Sequence, residues 1–213
     1  MNLQEVIHIA SKGEGLYAEF KKKATHPEKI VREVIALANT EGGYLFIGVD
    51  DDRTVSGQRY IEEEVYVMDK AIRELVYPEM DFSRTIIPFN PKKGVAVYKI
   101  MKSENRPHFL YENNKKKAYV RVGDRSIQAS REVWEILKRE KKRKNILIRF
   151  GEKENTLMKA LTERAAITLT EYMKIAKLPV YIASKTLVRL VLANVLRIIP
   201  QENEDLFMLK DPQ

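Results

Sequence analysis

Ala38-Asn39-Thr40-Glu41-Gly42-Gly43-Tyr44-Leu45-Phe46-Ile47-Gly48-Val49-Asp50-Asp51-Asp52 is the stretch from which the rest of the chain can be read. A helix ends at the glycine pair, because glycine accepts the left-handed backbone that closes a helix. Residues 44–49 are a short apolar run that suits a buried strand, and three aspartates turn out of it. Upstream, residues 25–40 read as the helix. Pro27 fits its first turn, Glu28 its positive end, and Ile30, Val31, Val34, Ile35, Leu37 and Ala38 its buried face. Asn39 reads as a cap of that helix rather than a substrate contact. A second acidic point precedes it, at the edge of another strand: Glu14-Gly-Leu-Tyr-Ala-Glu19-Phe20-Lys21. If the fold joins the two points, they form a carboxylate cluster of the kind that holds a hard divalent cation against a phosphate. If it does not, they are acids on a solvated rim.

The remaining pattern is α+β. Residues 62–76 predict a helix ended before Pro78, and residues 85–89, 94–101 and 118–122 are β-rich. Lys115-Lys116-Lys117, following Asn113-Asn114, reads as a hairpin tip. Ser130 opens a helix that runs through Trp134 and Leu137 into a basic stretch. Beyond Gly151 come a helix over 155–165, a second opened by the capping-box spacing Thr168-x-x-Glu171, and a third over 182–194 after Pro179. A ribbon over 195–199 and 206–209 follows. Three helices and a ribbon are the winged helix-turn-helix plan, in which the third helix reads nucleic acid. Its candidate outward residues are Tyr181, Ser184, Lys185 and Arg189. The same plan also serves as a dimerisation or docking unit. The expected division is an α+β domain over 1–137, a basic helix-linker over 138–151 and a winged helix over 152–213.

Charge narrows the partners. The formal net charge is +8, yet residues 138–149 hold 7 basic residues against 1 acidic, so most of the excess lies in one segment. A helix dipole is served by two or three cations, which leaves the others for an anionic partner. Lys138, Arg139, Lys141, Lys142, Arg143 and Lys144 are the candidate phosphate contacts, with Lys21, Lys22 and Lys23 beside the acids. The chain has no cysteine, which excludes disulfides, zinc-thiolate sites and thiol catalysis. No apolar run reaches the roughly 20 residues of a membrane span, and a cytoplasmic location is expected. No G-x4-G-K-[ST] loop occurs, so there is no basis for triphosphate hydrolysis.

Taken together, Glu14-x4-Glu19-Phe-Lys, Ala38-Asn39-Thr40-x-Gly42-Gly43, Gly48-Val49-Asp50-Asp51, Val55-x-Gly57, Arg106-Pro107-His108 and Tyr119-Val120-Arg121-Val122-Gly123 resemble the Schlafen AlbA-like domain. The resemblance implies a mixed sheet with flanking helices, and prokaryotic members often carry a carboxy-terminal winged helix. It implies two functions. Many prokaryotic members are described as DNA-binding or regulatory, whereas animal members include metal-dependent endoribonucleases acting on transfer and ribosomal RNA. Carried over by position, the three carboxylates of those nucleases are Glu14, Glu19 and Asp51, which would hold Mg²⁺ or Mn²⁺, with Lys21 near the scissile phosphate. The animal enzymes pair two lobes, so a single lobe implies a homodimer. The leading expectation is a nucleic-acid-binding protein, a DNA-binding transcriptional regulator; the alternative is the endoribonuclease.

Overall fold

In the computed structural model, which describes residues 1–141 and 149–210, the glycine pair stands between a helix and a strand as expected. Helix α1 (Leu3–Lys12) is opened by a capping box between Asn2 and Glu5. Strand β1 (Ala18–Lys21), helix α2 (Pro27–Asn39) and strand β2 (Gly43–Ile47) form a β-α-β unit in which β1 and β2 run parallel. The connection is tight. A Cβ on Gly43 would lie 2.5 Å from the Tyr17 carbonyl oxygen, so no other residue fits without moving backbone. Gly42 takes φ +75°, the conformation glycine adopts without steric cost.

Helix α3 (Ile61–Leu75) precedes the antiparallel strands β3 (Phe82–Asn90) and β4 (Lys93–Ile100). The four strands make one mixed sheet in the order β1-β2-β4-β3. Alternation assigns its faces. Leu45, Ile47, Ala96, Tyr98 and Ile100 pack with the apolar stripes of α2 and α3. Phe46, Val95 and Val97 point to the other side, where Val6 and Ala10 of α1 and Phe20 of β1 join them. β2 is covered on both faces, which is why it reads as an unbroken apolar run. Two hairpins complete this part: β5 (Leu110–Glu112) with β6 (Lys115–Lys117), and β7 (Tyr119–Val122) with β8 (Arg125–Gln128). Asn113 and Asn114 both have positive φ, as a two-residue hairpin turn requires.

Asn39 is not the cap it was expected to be; Thr40 holds that position. The Asn39 side chain is buried and bridges to the hairpin region. Its Nδ2 donates to the carbonyls of His108 (2.8 Å) and Tyr119 (3.0 Å), and its Oδ1 accepts from His108 N (2.7 Å). One amide thus ties the end of α2 to two later segments.

The chain separates into two compact units, Met1–Gln128 and Ala129–Gln213. The second contains helices α4 (Arg131–Glu140), α5 (Glu152–Glu163), α6 (Leu169–Ala176) and α7 (Val180–Leu192) and the antiparallel ribbon β9 (Leu196–Ile199) with β10 (Leu206–Leu209). Thr168 and Glu171 form the capping box their spacing predicts. The division falls earlier than residue 137, and the reason is packing. Ile136 of α4 belongs to the same apolar cluster as Leu187, Val188 and Val191 of α7. Ser130 and Glu132 also bond within this unit, Ser130 Oγ to Asp205 Oδ2 and Glu132 Oε1 from Ser184 Oγ, each at 2.5 Å.

Candidate functional site

Neighbouring parallel strands end on the same edge of a sheet, and that topology brings the two acidic points together. Lys21 at the end of β1 accepts through its carbonyl from Gly48 N (2.8 Å), so the chain leaves β1 and β2 side by side. Lys22 then reaches Asp50, with Nζ 2.8 Å from Oδ1. That ammonium, aided by Ser56, holds Asp50 below the ordinary 3.8. Asp52 is spent on its own turn, its Oδ1 accepting from Thr54 N (2.9 Å). Glu14, Lys21, Asp50, Asp51, Arg53 and Asp124 line a cavity of about 330 Å³ here.

Of the three carboxylates implied for a metal, Glu14 and Asp51 line this cavity and Glu19 does not. Glu14 is exposed as a residue, but its Oε1 accepts from Phe20 N (2.9 Å) in a part-buried contact. Loss of water raises its pKa above 4.5, against the pull of that amide. Glu19 is buried, and both of its oxygens are engaged. Lys21 Nζ donates to Oε1, and Arg121 Nη1 donates to Oε2 at 2.7 Å.

Arg121 stands in one of the motifs quoted above, yet nothing in the sequence assigned it a role beside these acids. Its side chain is fully buried. Nη1 also donates to Glu33 Oε2 (2.9 Å), and Nη2 donates to the carbonyls of Gly15 (2.8 Å) and Ala18 (3.3 Å). Glu33 accepts from Ser126 Oγ as well. Burial first, and then the like charge of Glu19, push the Glu33 carboxyl above 4.5. The signal for Arg121 lay in the segment Tyr119-Val120-Arg121-Val122. An arginine on an otherwise apolar strand needs buried acceptors, but nothing local says which.

These contacts decide how the residues fit a divalent ion. A metal needs carboxylate oxygens free to converge, and here a guanidinium and an ammonium neutralise the central one. Among the described residues, no group of three or more histidine, aspartate or glutamate side chains is placed to hold a metal ion. The donor set as built does not fit Mg²⁺ or Mn²⁺.

The basic candidates divide between the units. In the first, Lys21 and Lys22 are committed to Glu19 and Asp50, and Lys23 is exposed. In the second, Lys138, Arg139, Lys141 and Lys185 are exposed and Arg189 is half-buried. Lys142, Arg143 and Lys144 lie outside the described residues. Arg139 pairs with Glu135 on its own helix at 2.6 Å. Arg131, Glu135 and Arg139 of α4 and Tyr181, Ser184, Lys185 and Val188 of α7 line one cleft of about 330 Å³. Ser184, expected to face outward, is buried because α4 lies on that strip of α7 and Glu132 takes its hydroxyl. Tyr181 and Lys185 reach solvent at the start of α7, the Lys185 ammonium 5.8 Å from the Tyr181 ring centre.

A solved structure, the DIP2311 protein from Corynebacterium diphtheriae, is similar at 18% identity over 65% of this chain, with a TM-score of 0.45. The chain spans 27% of that protein's length. No curated protein matches the chain at a significant level. The sequence model of the family described as Schlafen, AlbA_2 matches residues 14–130, which is more than half of the 213 residues and is consistent with nucleic-acid binding. The match opens at Glu14 and takes in the β1–β2 edge, Asn39 and Arg121, so this chain belongs to the Schlafen AlbA_2 family.

Proposed function

We propose that the protein is a DNA-binding regulator that grips nucleic acid through its phosphates, with the second unit acting as a winged helix. One observation carries this reading. The basic run of the sequence begins on α4 with Lys138 and Arg139, and Arg131 and Arg139 of α4 line one cleft with Lys185 of α7, so both helices offer cations to one surface. Arg131, Lys138, Arg139, Lys141 and Lys185 would position the duplex, and Lys142, Arg143 and Lys144 extend the charge along the sequence. The order of three helices and a ribbon over residues 152–209 supports the winged-helix assignment. The covered strip of α7 favours contact with the backbone over insertion into a groove. The paired state of Glu19 favours binding over metal-dependent cleavage. The homodimer implied by a single lobe would double the charged surface.

Anisotropy titration of labelled duplex DNA tests this. The association constant should fall steeply between about 50 and 200 mM salt, with a slope near −0.9 for each phosphate neutralised. Replacing Lys138, Arg139 and Lys141 together by alanine should flatten that slope by roughly two to three. Chelator should change nothing, and the nucleic acid should stay intact. A flat salt response refutes phosphate binding. Cutting of transfer RNA that needs Mn²⁺ and disappears when Glu14, Glu19 and Asp51 are replaced by alanine would instead establish the nuclease.

A further inference from the structure

The first unit exposes an aromatic cluster away from the carboxylates. Tyr77 follows α3, and Phe109 and Tyr111 belong to the segment entering and forming β5. Tyr77 is 44% exposed and Tyr111 52%, which is unusual for rings already in contact with one another. Tyr77 and Phe109 stack with a 28° tilt between their planes, their centroids 6.1 Å apart. Tyr111 meets both edge-on, at 5.5 and 5.6 Å. The Lys116 ammonium stands 4.8 Å from the Phe109 ring centre and 6.0 Å from that of Tyr111. Lys116 is the direct cross-strand partner of Tyr111, and Lys115 is exposed beside it.

The cluster is built on fixed backbone. Tyr77 and Phe109 exchange two main-chain hydrogen bonds, Tyr77 N to Phe109 O at 2.8 Å and Phe109 N to Tyr77 O at 2.6 Å. Beneath them His108 is fully buried. Its Nδ1 donates to the Pro78 carbonyl (2.8 Å), and its Nε2 accepts from Ser103 Oγ (2.6 Å). Burial holds His108 below the ordinary 6.5, so the ring stays neutral in that tautomer. The acid of the same hairpin is occupied elsewhere: Glu112 pairs with Arg32 at 2.8 Å and Lys117 at 3.0 Å.

We propose that Tyr77, Phe109 and Tyr111, with Lys115 and Lys116, form a stacking platform for unpaired bases of a single-stranded nucleic acid. The exposed rings of Tyr77 and Tyr111, backed by Phe109 and next to ammonium groups, match a ligand that carries flat π-surfaces and negative charge in alternation along one chain. In a duplex the faces of the bases are hidden within the stack, so only an unpaired strand can use both features. The platform's residues all belong to the first unit, whereas the helices proposed to grip phosphates belong to the second. Its ligand class rests on the nucleic-acid-binding reading above.

The test is anisotropy titration of the full chain with a labelled single-stranded oligothymidine and with a duplex of the same length. Tyr111→Ala should weaken single-strand binding about tenfold, the scale of one base stacked on one ring, and leave duplex binding within about twofold. Tyr77→Ala should do the same, and Tyr111→Trp should retain single-strand affinity. Both side chains are about half exposed, so melting curves should shift only slightly. Unaltered single-strand affinity in both alanine variants overturns the platform, and so does equal weakening of the two ligands. Wild-type protein that binds duplex and ignores single strands refutes the platform alone. Wild-type protein that binds neither refutes the nucleic-acid reading and the platform with it.

Discussion

Arg121→Met is expected to destabilise the protein by about 3–5 kcal/mol, read as a lower urea midpoint at unchanged slope. The size follows from what is stranded. Arg121 and Glu19 are both buried, and the guanidinium also satisfies Glu33 and two backbone carbonyls. Methionine fills much of the volume but leaves Glu19 with Lys21 alone. Adding Glu19→Gln and Glu33→Gln should restore most of the loss, because the cost is uncompensated charge rather than lost packing. A single-variant loss under about 1 kcal/mol would contradict this account. The pH dependence has a definite sign. Glu33 titrates above 4.5 in the folded protein, so the stability it contributes is full below 4.5 and is lost as pH rises through its folded value. Removing Arg121 raises that folded value further. The variant should therefore be less impaired at mildly acid than at neutral pH, and Glu33→Gln should flatten the trend.

Asn39→Ala is the second large effect, about 3 kcal/mol by the same measurement. The substitution removes three buried hydrogen bonds and leaves His108 N, His108 O and Tyr119 O without their partner. Asn39→Asp should be at least as damaging. A carboxylate still accepts from His108 N but faces two carbonyl oxygens where the amide donated. Part of that loss should return in acid, where the carboxyl regains a proton. An alanine variant within about 1 kcal/mol of wild type would mean that the hairpins do not depend on the amide.

The elements that could be read in advance are those whose cause is local. The Gly42-Gly43 stop, the Thr168 capping box, Ser130 as a helix opener and the β10 run all follow from neighbours in sequence. Helix α1 passed unread although Asn2 and Glu5 carry its capping box, because Val6 and Ala10 alone make a thin apolar stripe. The candidate site was legible as far as topology reaches: two acidic segments at the ends of adjacent strands do meet. Occupancy was not legible. Glu19 and Arg121 are 102 positions apart, and Asn39 and Tyr119 are 80 apart. The outward face assigned to α7 failed for a related reason. Helical spacing predicts which residues share a side, and says nothing about a later or earlier helix lying over it.

That covering helix bears on how the second unit can be handled in isolation. The basic run looks like a natural cut site, yet a fragment begun at Lys138 would lack Ser130, Glu132 and Ile136. It would present Val188 and the Ser184 hydroxyl to water and leave the Asp205 carboxyl without its hydroxyl donor. Such a fragment would be sticky and ill-behaved in solution. Its behaviour towards any ligand would report the wound rather than the protein, so a faithful fragment starts no later than Ala129.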